Sequence, residues 1–179
     1  MSHSDSTAAG RTVFITGAAG GLGRSFALGF AERGDRVAIA DVDLVGLAET
    51  AKLVEAHGVP CWQGRVDVTS PESTAEAAAA VAEFGGGTIE VLINNAALYA
   101  GITRAPIEEL APDEWDRVMA VNAKGPWLMT RGASPHLATG ARVINIASAT
   151  VFSGSAQWAH YVASKGAVIA LTLYTAPFF

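Results

Sequence analysis

From Thr12 onward, short apolar, β-branched runs alternate with longer stretches of helical period. Residues 12–16 (TVFIT) predict a strand. Residues 17–23 form a glycine-rich turn. Residues 22–33 predict a helix with an apolar stripe at Leu22, Phe26 and Phe30, stopped by Gly34. Residues 36–40 (RVAIA) predict a second strand, closed by Asp41. A second helix spans residues 44–57, with Asp43 placed to cap it and Gly58 to stop it. A third strand falls within residues 59–68. Ser70-Pro71-Glu72 opens a helix that runs to Phe84 and ends at three glycines.

Residues 89–93 (IEVLI) predict a fourth strand, and a loop follows over residues 94–110. Residues 112–137 read as a long helix. Gly125-Pro126 inside it predicts a local bend or interruption, because proline has no N–H and clashes with the preceding turn. Residues 142–147 (RVINIA) predict a fifth strand, residues 148–157 a polar loop, and residues 158–175 a last helix. This alternation implies an α/β fold: a doubly wound parallel sheet with helices on both faces. No internal repeat or interdomain linker interrupts it, so residues 1–179 are expected to form a single domain with a flexible tail over residues 1–10.

Composition narrows the function classes. Half of the 179 residues are hydrophobic, 16% are charged, and the mean hydropathy is +0.30. Such a chain buries a core rather than staying disordered. A net charge of -5 offers no basic footprint, so no nucleic-acid partner is expected. The first ten residues lack the apolar core of a signal peptide, and the uncharged run of residues 166–179 is too short to span a bilayer. No membrane partner is expected. Cys61 is the only cysteine and closes no internal disulfide, which suits a reducing, cytoplasmic setting. No metal-ligand spacing is present. His57, Asp113, Glu114 and Asp116 read as helix-surface and first-turn charges.

Chemistry enters at the turn Thr16-Gly17-Ala18-Ala19-Gly20-Gly21-Leu22-Gly23, which follows a strand and opens a helix. A helix N-terminus offers unpaired N–H groups and partial positive charge to a pyrophosphate. Glycine lets the backbone approach that ligand. Asp41, at the end of the second strand, is placed to accept hydrogen bonds from ribose hydroxyls and to repel an added phosphate. It also reads as a solvated strand-end carboxylate or cap. Gly20 offers no basic side chain to such a phosphate, which favours NAD over NADP.

These residues, with further motifs in order, resemble the classical short-chain dehydrogenase/reductase family. The glycines have its TGxxxGxG spacing. Asp67-Val68 falls where the family contacts adenine. Asn94-Asn95-Ala96-Ala97 is similar to its NNAG, with Ala97 in place of the last glycine. Asn122 lies in the long helix, Ser148 follows the fifth strand, and Tyr161-Val162-Ala163-Ser164-Lys165 supplies YxxxK. The resemblance covers residues 12 to about 172. It implies a Rossmann-like sheet of order 3-2-1-4-5. It also implies cofactor contacts at Gly17, Gly21, Leu22, Gly23, Asp41, Asp67, Val68, Asn94, Ala96, Tyr161 and Lys165.

The same resemblance implies a catalytic set of Asn122, Ser148, Tyr161 and Lys165. Tyr161 and Lys165 lie one turn apart on one helix face. An ammonium beside a phenol favours the phenolate, so the Tyr161 pKa is expected below its usual value near 10. Tyr161 is then the general acid and base, and Lys165 also holds the nicotinamide ribose. Ser148 orients the substrate oxygen. Asn122 anchors a water that links Lys165 to solvent. His160, on another helix face, is expected to be a non-catalytic pocket or interface residue.

The expected function is hydride transfer between NAD(H) and a secondary alcohol or ketone. Two alternatives stand beside it: a catalytically weak NAD-binding module, and a relative of the 3-oxoacyl-thioester reductases, whose usual NADPH fits Asp41 poorly. Family members continue beyond the active-site helix with a sixth strand, a helical region and a seventh strand. Here residues 174–179 resemble none of these, so the fold is expected to be C-terminally incomplete and without the last strands. A homo-oligomer is expected through the two long helices at residues 112–137 and 158–175. Tyr99, Trp127, Phe152 and Trp158 suit either an apolar or aromatic substrate or ordinary packing.

Overall fold

The β1 strand (Thr12–Thr16) is buried at every position, which a strand covered on both faces requires. Its side chains alternate. Val13 and Ile15 join the core under helices α1 (Gly21–Ala31) and α2 (Leu44–Glu55), whereas Phe14 joins the core under α3 (Pro71–Phe84). In this computed structural model, which describes residues 10–176, β1 is the centre of a five-stranded parallel sheet of order β3-β2-β1-β4-β5. The other strands are β2 (Arg36–Asp41), β3 (Cys61–Arg65), β4 (Ile89–Asn94) and β5 (Leu137–Asn145). This is the expected Rossmann-like order, with helices on both faces. Residues 1–9 of the expected tail, and residues 177–179, lie outside the described residues. Gly10, also assigned to that tail, is instead held: its carbonyl accepts from Arg36 Nη1 at 3.0 Å.

Local chemistry sets the helix starts. The Asp43 carboxylate accepts the N–H groups of Val45 and Gly46, capping α2 as expected. Ser70 caps α3. The buried stripe of α1 differs from expectation. Its fully buried positions are Gly23, Ala27 and Ala31; of the expected stripe, Phe26 and Phe30 pack half-buried against the same core, whereas Leu22 is exposed. Small residues win because this helix lies against the turn that precedes it. A Cβ on Gly23 would stand 2.1 Å from the Gly17 carbonyl oxygen.

The long helix is the main departure. It divides into α4 (Pro112–Met119), a π-helical turn (Ala120–Lys124) and α5 (Gly125–Ala133), then a 3-10 turn (Ser134–His136). The interruption lies just before Pro126, because Pro126 has no N–H to return to the carbonyl of Asn122. Leu137 belongs to β5, which starts earlier than expected and carries an irregularity against β4 between Ile89 and Val91. Gly140, at φ 75°, lies in that stretch. The expected loop at residues 148–157 contains a short helix, α6 (Thr150–Ser153). The last helix, α7 (Ala159–Thr175), packs on α4 through Ile102, Val118, Trp158 and Tyr161. No described helix is long and apolar enough to cross a membrane.

Candidate active site

The carboxyl ends of the strands open onto a cleft of about 760 Å³, the place where open α/β sheets bind ligands. One end is walled by Asp41, Val42, Asp67 and Val68, the middle by Gly17, Gly20, Gly21 and Leu22, and the other end by Ser148, Tyr161 and Lys165. Ala96 and Tyr99 form part of the facing wall. Most of the residues expected at a ligand thus line one continuous surface.

The middle of the cleft fits a phosphate-bearing ligand. Helix α1 opens at Gly20 with no side-chain cap and no acidic residue in its first turn. Its first N–H groups therefore have no intrahelical partner. Nothing stands within 4 Å of where a Cβ on Gly20 or Gly21 would be, so the backbone is open to close approach. Gly17 has a different reason to be glycine: φ is 68°, and a Cβ there would meet Ala96 Cα at 2.6 Å. An anion at these N–H groups would face no competing carboxylate.

Asp41 has two jobs. Its Oδ2 accepts the Ala19 N–H at 2.9 Å and its Oδ1 accepts the Asp43 N–H at 3.1 Å, so the carboxylate braces the glycine turn and the β2–α2 junction. It still lines the cleft. The strand-end reading is met by these bonds, and the same side chain also borders the cleft. Asp67 and Val68 follow β3, which stops at Arg65. The Asp67 pKa is lowered, chiefly by the Thr69 hydroxyl and then by its N–H, both of which donate to it.

Three expected site residues stand behind the cleft rather than on its wall. Gly23 is buried in α1 against the turn. The Asn94 amide is turned into the core, where Nδ2 donates to Thr130 Oγ1 at 3.1 Å and Asn145 Oδ1 at 2.8 Å. Asn122 is fully buried. Its Oδ1 accepts the Leu98 N–H at 2.7 Å, and its Nδ2 donates to the Leu98 carbonyl at 3.0 Å and to Ser164 Oγ at 3.2 Å. The Asn122 side chain is thus occupied in tying the β4–α4 loop to α7.

At the end bordered by Ser148 and Tyr161, Lys165 is buried and its Nζ donates to the Ile146 carbonyl at 2.7 Å. Burial lowers its pKa from 10.5 to about 8. Tyr161 departs from expectation. Its pKa is raised, first because burial penalises the phenolate; the Ser148 hydroxyl opposes this and the Tyr99 side chain adds to it. The reason is geometric: Lys165 Nζ is 6.0 Å from the Tyr161 ring centre and is turned toward Ile146. Ser148 is braced by Thr150, whose hydroxyl lies 2.8 Å from its own.

His160, expected as a pocket or interface residue, does not line the cleft. It is fully buried, with Nε2 3.9 Å from Glu114 Oε1 on α4, and desolvation lowers its pKa. Of the four aromatic candidates, Tyr99 lines the cleft and Trp158 packs behind it, with ring centres 5.3 Å apart. Trp127 on α5 and Phe152 on α6 do not line the cleft.

Two residues that the sequence reading quoted only as members of their motifs, Thr16 and Asn95, also hold the site. The Thr16 hydroxyl accepts the N–H groups of Asn95 and Ala96, both at 3.1 Å. The Asn95 amide donates to the carbonyls of Thr16 at 3.0 Å and Gly17 at 2.9 Å. Together they fasten the glycine turn to the end of β4. The available signal was Asn95 itself, a second amide at a strand end beside the turn. Among the described residues, no group of three or more His, Cys, Asp or Glu could hold a metal ion.

Known proteins resemble this chain in sequence and fold. A family model described as short chain dehydrogenase matches residues 11–177. A sorbitol dehydrogenase of Cereibacter sphaeroides is 37% identical over 166 residues, which cover 91% of this chain and 62% of that protein. A galactitol 2-dehydrogenase of Agrobacterium fabrum is 36% identical over 166 residues, covering 90% and 62% respectively. The chain therefore spans about three-fifths of the length of these curated relatives. The crystal structure of an NAD+-bound xylitol dehydrogenase superposes with a TM-score of 0.87 at 33% identity, covering 94% of this chain and 66% of that one.

Proposed function

The chain belongs to the short-chain dehydrogenase family, and from that premise we propose that it transfers hydride between NAD(H) and a secondary alcohol or its ketone. The observation that carries this reading is the meeting of Ser148, Tyr161 and Lys165 at one end of a cleft floored by the glycine turn. The names of the relatives, dehydrogenases of sorbitol, galactitol and xylitol, support a small hydroxylated substrate.

NAD, when bound, supplies the hydride acceptor. The N–H groups opening α1 would hold its phosphates, and Asp41 and Asp67 would border its adenosine end. The Ser148 hydroxyl donates to the substrate oxygen and fixes its position. Tyr161 takes the hydroxyl proton in oxidation and returns it in reduction. Its raised pKa in the protein alone keeps the phenol protonated at neutral pH, the form that reduction consumes. Lys165, beside it, is the group whose charge would bring the phenol down when drawn closer. Self-association through α4–α5 and α7 belongs to the same proposal, supported by Trp115 and Trp127, which stand 37% and 45% exposed on α4 and α5.

Titrating the chain with NADH and with NADPH, and reading energy transfer from tryptophan to the nicotinamide, tests the cofactor half. The expected result is NADH-selective binding. A folded chain that binds neither sinks the proposal. A panel of polyols and simple secondary alcohols then tests turnover, with Tyr161→Phe as the inactive control.

A further inference from the structure

The glycine turn is gripped from behind by a side chain that does not itself line the cleft. Arg24, in the first turn of α1, reaches back to the residues before its own helix. Its Nη2 donates to the Ala19 carbonyl at 2.6 Å, to the Gly46 carbonyl at 3.1 Å and to Glu49 Oε2 at 3.1 Å. Its Nε donates to Thr50 Oγ1 at 2.8 Å. Thr50 is fully buried, and its hydroxyl donates in turn to the Gly46 carbonyl at 3.1 Å. One guanidinium thus joins the turn, α1 and α2. The joint is tight on its α2 side. A Cβ on Gly46 would stand 2.7 Å from the Ala19 carbonyl oxygen and 3.0 Å from Ala19 Cβ.

Ala19 is therefore held on both sides. Asp41 Oδ2 accepts its N–H, and Arg24 takes its carbonyl. The Ala19 carbonyl and the Gly20 N–H belong to one trans peptide unit, in which the two point in opposite directions. Fixing the one aims the other. Gly20 lines the cleft, and among the described residues its N–H meets no acceptor. The donor left over on the far side of the gripped peptide thus belongs to a residue of the cleft wall.

We propose that Arg24 is a positioning residue for the phosphates of the nucleotide. It touches no ligand; by holding the Ala19 carbonyl it aims the Gly20 N–H at a phosphate oxygen. This rests on the nucleotide half of the dehydrogenase reading above. The task needs a planar fork, because Nη2 must meet the turn while Nε stays seated on Thr50. A lysine ammonium would keep the charge but donate from a single point.

The test is calorimetric binding of ADP and of adenosine to the chain, to Arg24→Met and to Arg24→Lys. Adenosine carries the base and ribose but no phosphate, so the ratio of the two affinities reads the turn and not the general firmness of the fold. The parent is expected to bind ADP at least about tenfold more tightly than adenosine. In both variants that ratio should fall below about threefold, with adenosine affinity within about twofold of the parent. ADP and adenosine weakened together would mean that Arg24 only stabilises the fold, and overturns the proposal. So does an Arg24→Lys that keeps the parent's ratio, since charge rather than aim would then suffice. So does a parent with no preference for ADP. If Arg24→Met does not fold, Arg24→Lys decides alone. A ratio indifferent to Arg24 in a chain that oxidises alcohols fails this inference alone, whereas the expected pattern in a chain that oxidises none fails the dehydrogenase reading alone.

Discussion

Lys165 aims its ammonium at the backbone carbonyl of Ile146, 2.7 Å away, and not at the phenol of Tyr161 one helical turn before it. The two residues share a helix face, as their spacing demands. Facing the same way is not the same as touching. In the protein alone, burial rather than the ammonium governs Tyr161, and its pKa moves up. The charge that would activate the phenol is stored next to it, on a hydrogen bond to the end of the sheet.

That storage is costly, and the cost depends on pH. Burial depresses the Lys165 pKa from 10.5 to about 8. Below pH 8 both folded and unfolded chains carry the proton, and the folded one pays for a poorly solvated charge. Between about pH 8 and 10.5 the unfolded chain binds more protons, so this contribution makes stability rise with pH. Replacing Lys165 by Met should therefore stabilise the fold near neutrality by up to about 3 kcal/mol, less whatever the lost bond to Ile146 contributed. Urea denaturation at pH 7 and pH 10 should show the advantage shrinking as pH rises. An advantage that is equal at both would mean that burial of the charge is not its source.

Asp41 both braces the glycine turn and borders the cleft, and the two roles can be separated. Asp41→Asn keeps an oxygen for the Ala19 N–H, removes the charge that borders the cleft, and leaves the exposed Asp43 N–H to water. The expected outcome is a stability loss of no more than about 1 kcal/mol together with a preference for NADH over NADPH that falls about tenfold. Fluorescence titration with both nucleotides measures it. Loss of binding to both nucleotides would instead show that the carboxylate acts mainly by bracing the turn.

The sheet was legible because β1, β2 and β4 are short β-branched runs buried on both faces, a pattern little else produces. β5 was legible only in part. Gly140 and the residues before Arg142 interrupt the run, so Leu137 read as the end of a helix. The break before Pro126 was readable in kind, since a missing N–H must be accommodated somewhere, but its π-turn form depends on how Asn122 is held. Gly17 and Asp41 announced themselves by local spacing. Thr16 with Asn95, and Glu114 with Thr103, did not. Thr16 and Asn95 are 79 residues apart, and Thr103 meets Glu114 across the end of a loop, so only the folded chain brings these donors to their acceptors. The turn of Asn94 toward Thr130 has the same origin.

Asn122 should count mainly as a structural clamp on the loop that carries Tyr99. Asn122→Ala leaves the Leu98 N–H and carbonyl and the Ser164 hydroxyl without this partner in a buried place. The expected loss is about 2–4 kcal/mol in chemical denaturation. Amide exchange at Leu98 should accelerate more than exchange in β1. A loss below about 0.5 kcal/mol would place the clamp elsewhere.

Size exclusion with light scattering tests self-association. The expected species is a dimer or larger, and Trp115→Glu and Trp127→Glu should each move it toward monomer. A clean monomer of the starting chain at micromolar concentration ends that part of the proposal.

The glycines of the turn make the sharpest contrast. Gly20 has extended backbone angles, φ −169° and ψ −170°, and nothing stands within 4 Å of an added Cβ. Gly20→Ala should fold with a stability within about 0.5 kcal/mol of the parent, because an L residue adopts that conformation freely. Its methyl would nevertheless point into the space where phosphates are proposed to sit, so NADH affinity should fall at least about tenfold. Gly23→Ala should behave in the opposite way. Its Cβ would stand 2.1 Å from the Gly17 carbonyl oxygen and 2.8 Å from Ala18 Cα. Both are backbone atoms, which cannot step aside singly, so the helix must move off the turn. The expected cost is about 1–3 kcal/mol, as for other overpacked sites. Denaturation and nucleotide titration of the two variants side by side decide the matter. If Gly20→Ala binds NADH as the parent does, the open turn is not where the nucleotide lies. If Gly23→Ala is as stable as the parent, the contact between α1 and its turn is softer than its geometry implies.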